Sequence, residues 1–202
     1  MKTEEVFSNY KIIPVVTLND MKEAEDVLGA LCCGGLPVAE ICFRTECAEE
    51  AIRFAVQNYP QMLVGAGTVI NGEQCTRAIS AGAKFIVSPG ISEEAGFLCL
   101  QRRIPYLPGV VSPTEIIKAI SLGYNTLKFF PAENYGGLKT IKALSAAFPQ
   151  VRFVPTGGIC EQNIKDYLAF DKVLACGGSW MTKGSQQEIA QKAARAISLT
   201  NL

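Results

Sequence analysis

Residues 62–82 read MLVGAGTVINGEQCTRAISAG, and the plan of the chain follows from them. MLVGAGTV (62–69) is a short run of apolar and small residues without polar alternation, as expected of a strand buried on both faces. Asn71 then stands where a helix N-cap belongs, and GEQCTRAISAG carries its apolar residues at helical spacing. The same strand-then-helix unit recurs in both directions. Apolar runs lie at KIIPVVT (11–17), LPVAEICF (36–43), KFIVSPG (84–90), IPYLPGVV (104–111), TLKFFPAE (126–133), RFVPTGGI (152–159) and KVLACGGS (172–179). Between them, Asp20 precedes MKEAEDVLGALCCGG, Thr45 opens ECAEEAIRFAVQNYP, Ser92 opens EEAGFLCLQRR and Ser112-Pro113 starts TEIIKAISLG. Further on, Gly136 and Gly137 precede LKTIKALSAAF, residues 161–168 read as a short helix, and GSQQEIAQKAARAISL reads as the last one. Eight strands alternating with eight helices predict a parallel sheet, and the count favours closure into a single (β/α)8 TIM barrel spanning 1–202. No GxGxxG follows the first strand, which weakens a dinucleotide-binding alternative.

Composition excludes several classes of function. At 202 residues and 49% hydrophobic, the chain can bury one substantial core. Nineteen basic and nineteen acidic residues cancel, so there is no broad positive field for nucleic acid or an anionic membrane, and any bound anion must meet a local site. MKTEEVFSNY lacks the apolar core of a signal peptide, and no run approaches the ~18 apolar residues of a membrane span, which reads as a cytosolic protein. The cysteines at 32, 33, 42, 47, 75, 99, 160 and 176 fall mostly inside apolar patterns with no CxxC spacing, and read as reduced, packed thiols. There is no histidine. Ser-His-Asp and Cys-His relays and imidazole zinc sites are therefore excluded, and acid/base work falls to Glu, Asp, Lys, Tyr or water.

Active sites of this fold lie at the C-terminal ends of the strands. In TLKFFPAE, Thr126, Lys128 and Phe130 share one face and Leu127 and Phe129 the other, so the apolar pair faces the helices and Lys128 points into the barrel. An ammonium buried there either finds a carboxylate or sheds its proton to become a nucleophilic amine. A structural ion pair and a reactive lysine are both open on this ground. In strand two, Val38, Glu40, Cys42 and Arg44 share a face, which aims a carboxylate inward and an arginine at the rim. Glu40 either neutralises Lys128 or shuttles protons; Arg44 either grips a carboxylate ligand or makes a rim salt bridge with Glu46 or Glu49. Glycine pairs end strands seven and eight, in PTGGI (155–159) and CGGSW (176–180), where phosphate sites of this fold often form, with Thr156 and Ser179 as hydroxyl donors. Thr68 ends strand three and either donates to a ligand or caps a turn. Pro89 and Pro108 read as turn-shaping.

RTECAEEAI (44–52), GAGTVI (65–70), SPG (88–90), LKFFPAE (127–133), PTGGI (155–159) and GGSW (177–180), in this order and spacing, resemble the class I 2-keto-3-deoxy-6-phosphogluconate (KDPG) aldolases, whose members often also cleave 4-hydroxy-2-oxoglutarate (KHG). The resemblance spans essentially the whole chain and implies reversible cleavage to pyruvate and D-glyceraldehyde 3-phosphate, or to pyruvate and glyoxylate. By motif it implies Lys128 as Schiff-base lysine and Glu40 as general acid/base. Arg44 and Thr68 correspond to ligands of the pyruvyl carboxylate, and Pro89 and Phe130 to the pocket around the pyruvate carbons. Gly157, Gly158, Gly178 and Ser179 correspond to the phosphate site. It implies no metal, no cofactor and a homotrimer. Two positions depart from the family pattern: Ser112 before Pro113, and Cys42 where a hydroxyl residue is common. Two other functions fit the same barrel. A sugar-phosphate isomerase or epimerase would use Glu40 as base without any covalent adduct, and a non-catalytic sensor would bind sugar phosphates without releasing pyruvate.

Overall fold

The structure, a computed structural model, describes residues 3–200. Nine short strands lie among the described residues: β1 Ile12–Val16, β2 Val38–Cys42, β3 Leu63–Gly67, β4 Ile86–Val87, β5 Tyr106–Leu107, β6 Gly109–Val110, β7 Thr126–Phe129, β8 Arg152–Pro155 and β9 Cys176–Gly178. All the ladders are parallel, in a six-stranded sheet of order β5-β4-β3-β2-β1-β9 and a three-stranded sheet of order β6-β7-β8. Every residue of β1, β2 and β7 is buried, the double-sided burial that gives unbroken apolar runs.

Instead of eight strands in one ladder there are two arcs, and proline explains one seam. IPYLPGVV contains both β5 and β6, separated by Pro108, which has no N–H to give a neighbour. Its carbonyl still accepts from Lys128 N at 2.9 Å, so the chain crosses from one arc to the other without leaving the wall. At the other seam, β8 meets the chain around β9 only through isolated bridges, Phe153 to Val173 and Thr156 to Gly177.

The helices are α1 Thr3–Asn9, α2 Met21–Cys33, α3 Ala48–Asn58, α4 Gly72–Ala81, α5 Glu93–Arg102, α6 Pro113–Ser121, α7 Gly137–Ala147, α8 Ile164–Leu168 and α9 Gln186–Thr200. Asp20, Asn71, Ser92 and Ser112 cap α2, α4, α5 and α6 through their side chains. Thr45 does not cap α3. Its hydroxyl donates to Leu18 O at 2.5 Å, and Cys47 occupies the cap position without a side-chain bond. The helix read over 161–168 is shorter, beginning at Ile164. α1 is an addition to the expected plan: it buries Val6 and Phe7, and the Phe7 ring packs edge-on against Phe85 just before β4, with centroids 5.5 Å apart.

Ser112 and Glu115 form a reciprocal capping box at the start of α6. Burial pushes the Glu115 carboxyl upward, but bonds from Val111 N, the Ser112 hydroxyl and Ser112 N outweigh it and hold the group below its ordinary 4.5. A depressed folded-state value means stability present above the ordinary value and lost as pH falls through the folded one. Glu115→Gln should therefore cost about 1 kcal/mol at neutral pH, and the gap to the parent in urea unfolding should narrow as pH drops below about 4.

Candidate active site

Glu40 and Lys128 come from opposite arcs, from β2 and β7, and meet inside. Lys128 Nζ lies 3.2 Å from Glu40 Oε1, with each side chain only 4% exposed. The inward alternation of both strands is what brings them together. The Phe130 ring stands over the ammonium with its centroid 5.1 Å from Nζ, a cation–π contact on the pair's outer side.

Above this pair opens a cavity of about 470 Å³. Arg44, Phe130, Thr156, Gly157, Gly158, Gly178 and Ser179 all line it, whereas Lys128 and Glu40 are not on the lining, and the Phe130 ring links Lys128 to it. Thr68 is not on the lining but holds a residue that is: Arg44 Nε donates to Thr68 Oγ1 at 3.0 Å. The rim salt bridge considered for Arg44 is replaced by this bond, while Glu49 is engaged by Arg53 at 3.0 Å and Arg77 at 2.8 Å. Thr68 does this from a φ of 55°, an uncommon and strained conformation for a β-branched residue. Pro89 also lies off the cavity lining, its carbonyl packed against the α-carbon of Gly109.

The glycine turn after β8 is built for backbone exposure, whereas Gly177 and Gly178 lie within β9 and are buried. Gly157 and Gly158 take φ of 97° and 82°, and a Cβ on Gly158 would lie 2.4 Å from Glu133 Cγ, so no other residue fits there unchanged. Tyr167 donates to Glu133 Oε1, Glu133 N donates to Gly157 O at 3.1 Å, and Asn163 Nδ2 donates to Gly158 O at 3.0 Å, which pins the turn. Cys42, buried on β2, is held thiol by burial first and the Glu40 charge second, both raising it.

Sequence reading missed part of the lining: Thr17, Asn19, Glu23, Gly177, Thr182 and Lys183. Thr17 follows β1 on the same side as the lining residue Val15, a signal that strand alternation contained. Lys183 and Glu23 had none, because they belong to loop and helix positions that only folding brings to the mouth. Glu23 Oε2 is already engaged by Asn19, accepting from its N at 2.7 Å and its Nδ2 at 3.0 Å.

In chemical terms, a shielded amine and carboxyl share one contact beside a cavity whose wall offers a guanidinium, a glycine turn and the glycine end of β9. In the order β2-β1-β9, Arg44 and the glycine end of β9 are two strands apart, roughly 10 Å at about 4.8 Å per strand.

Comparisons with known proteins agree with this geometry. A family model described as KDPG and KHG aldolase matches residues 3–197. The chain is 45% identical over 177 residues, 88% of its own length and 84% of the relative's, to a 2-dehydro-3-deoxy-phosphogluconate aldolase of Treponema pallidum. Its fold is similar, with TM-score 0.91 and 38% identity over 96% of this chain and 94% of the other, to the KDPG aldolase of Zymomonas mobilis crystallised with 3-phosphoglycerate. It is also similar, with TM-score 0.92 and 36% identity over 96% and 98% of the two chains, to the KDPG aldolase of Legionella pneumophila, in which pyruvate was captured as a covalent carbinolamine. By sequence and by fold alike, the chain belongs to the KDPG and KHG aldolase family.

Proposed function

We propose that the chain is a class I aldolase in which Lys128 forms a Schiff base, reversibly cleaving 2-keto-3-deoxy-6-phosphogluconate to pyruvate and D-glyceraldehyde 3-phosphate and 4-hydroxy-2-oxoglutarate to pyruvate and glyoxylate. The observation that carries this reading is the 3.2 Å contact between Lys128 Nζ and Glu40 Oε1, buried under a cavity that can hold an anion at either end. Transfer of a proton along that contact leaves a neutral amine and a carboxylic acid, the pair needed to attack a ketone.

Lys128 Nζ adds to the substrate C2 carbonyl, the carbinolamine loses water with a proton from Glu40, and a protonated imine results. The C4 hydroxyl then gives its proton to the Glu40 carboxylate. The O–H electron pair left on oxygen forms the aldehyde carbonyl while the C3–C4 pair moves into an enamine, with the imine as electron sink. Glu40 returns the proton to C3, and hydrolysis frees pyruvate and the amine. The imine provides the electron sink, so no metal or cofactor enters the cycle.

Arg44, held by Thr68, grips the pyruvyl carboxylate, with Phe130 against the pyruvate carbons and Pro89 shaping the pocket from behind. Thr156, Gly157, Gly158, Gly178 and Ser179 bind the phosphate through backbone N–H groups and hydroxyls. The spacing between Arg44 and the glycine end of β9 suits a six-carbon acid with a terminal phosphate. Arg44→Lys keeps the charge but loses the planar fork. It should raise KM in pyruvate release by roughly 10- to 100-fold, the worth of one strong charge-assisted bond.

The two parallel arcs form one closed (β/α)8 barrel and a single domain, supported by the Pro108 crossing and the bridges from β8 to β9. The barrel assembles as a homotrimer. Phe97 and Leu100 on α5 and Ile117 on α6, 61%, 75% and 59% exposed, would give such an assembly apolar surface to cover. The enzyme works in the cytoplasm, a reading supported by eight free cysteines and by the absence, among the described residues, of any helix long and apolar enough to cross a membrane.

Incubation with pyruvate and borohydride tests the central step. Reduction should add pyruvate covalently and map it to Lys128; turnover without any trapped adduct would point to isomerase or epimerase chemistry instead.

A further inference from the structure

β3 ends in Gly67, paired in register with Cys42 of β2. Gly67 is buried and its φ lies outside the left-handed region, so its own backbone does not call for glycine. Its neighbour across the strands does. A Cβ on Gly67 would lie 2.3 Å from Glu40 Oε1, 2.6 Å from Glu40 Cγ and 2.8 Å from Glu40 Cδ, well inside van der Waals separation. The oxygen it would strike hardest is the same Oε1 that meets Lys128 Nζ at 3.2 Å.

We propose that Gly67 is a positioning residue for the aldol reaction: its bare α-carbon is the recess into which the Glu40 side chain folds, and that recess keeps Oε1 on Lys128. The inference rests on the reading of Glu40 as acid/base. Five backbone pairs lock β2 to β3, from Val38–Leu63 to Cys42–Gly67, so an added methyl displaces the Glu40 side chain more easily than the strands. Gly65, two residues earlier on the same strand, answers a different need: a Cβ there would lie 2.2 Å from the Phe85 ring, a matter of core packing. Gly67 faces the reacting groups, and a carboxylate moved off the amine is a proton acceptor out of reach.

The test is Gly67→Ala measured with Glu40→Gln and the double variant. Gly67→Ala should lower kcat for pyruvate release about 100-fold, the scale of a displacement near 1 Å, with KM close to the parent's. The double variant should be no slower than Glu40→Gln alone, because a residue acting through the carboxylate has nothing left to act on. Parent-like turnover by Gly67→Ala overturns the inference and leaves Glu40 its role; so do losses that multiply in the double variant. Parent-like turnover by Glu40→Gln removes the reading of Glu40 and the inference with it. Thermal unfolding decides separately, even where Gly67→Ala folds poorly. The Gly67→Ala substitution should cost stability beside Glu40 and little in a Glu40→Ala background, and an equal cost in both overturns the inference.

Discussion

Lys128→Met should lower the rate of pyruvate release by more than about 10⁴-fold while the chain still folds, as expected when a covalent nucleophile is removed from an otherwise intact site. Methionine matches the length of the lysine stem and suits an apolar strand position. What it leaves behind is Glu40, 3% exposed and deprived of the cation that stood 3.2 Å away. Breaking a buried pair in this way costs about 3–5 kcal/mol. The variant's melting temperature should therefore fall below the parent's. Retained cleavage would remove Lys128 from the chemistry. A variant that fails to fold would support a structural role for the pair.

Glu40→Gln has the second largest expected effect. Glutamine keeps the size and the hydrogen-bonding reach of the side chain but cannot accept or return a proton. Loss of general acid/base catalysis should lower kcat by about 10²–10⁴-fold. Borohydride should still trap pyruvate on Lys128, more slowly, because imine formation retains its nucleophile and can borrow water for its proton transfers. The contrast between the variants is the useful measurement: one loses the adduct, the other keeps it and loses turnover. Unchanged turnover in Glu40→Gln would exclude Glu40 from the mechanism.

Local chemistry made much of this molecule legible in its sequence. Asp20, Asn71, Ser92 and Ser112 were readable as caps because each acts on an N–H three residues on. Thr45 looked the same and was not, because α3 starts at Ala48 with Cys47 in the cap position, two residues further on, and the Thr45 hydroxyl donates to Leu18 O instead. α1 went unread because a single buried pair, Val6 and Phe7, is too little periodicity to declare a helix. The division of IPYLPGVV at Pro108 was latent in the missing N–H, yet a run of apolar residues on both sides masked it. Alternation sufficed to turn Lys128 and Glu40 inward. It could not say that Glu23 and Lys183 would stand at the mouth, since loops and helix starts obey no such period.

The Phe130 ring lines the cavity and stands 5.1 Å from the Lys128 amine, and the glycines after β8 and at the end of β9 lie on the same lining. Once the ketone carbon is bonded to nitrogen in the proposed imine, it stays in place while the aldehyde comes and goes. Traffic is then ordered: in synthesis pyruvate loads first, and in breakdown the aldehyde departs before the three-carbon acid still tethered to nitrogen.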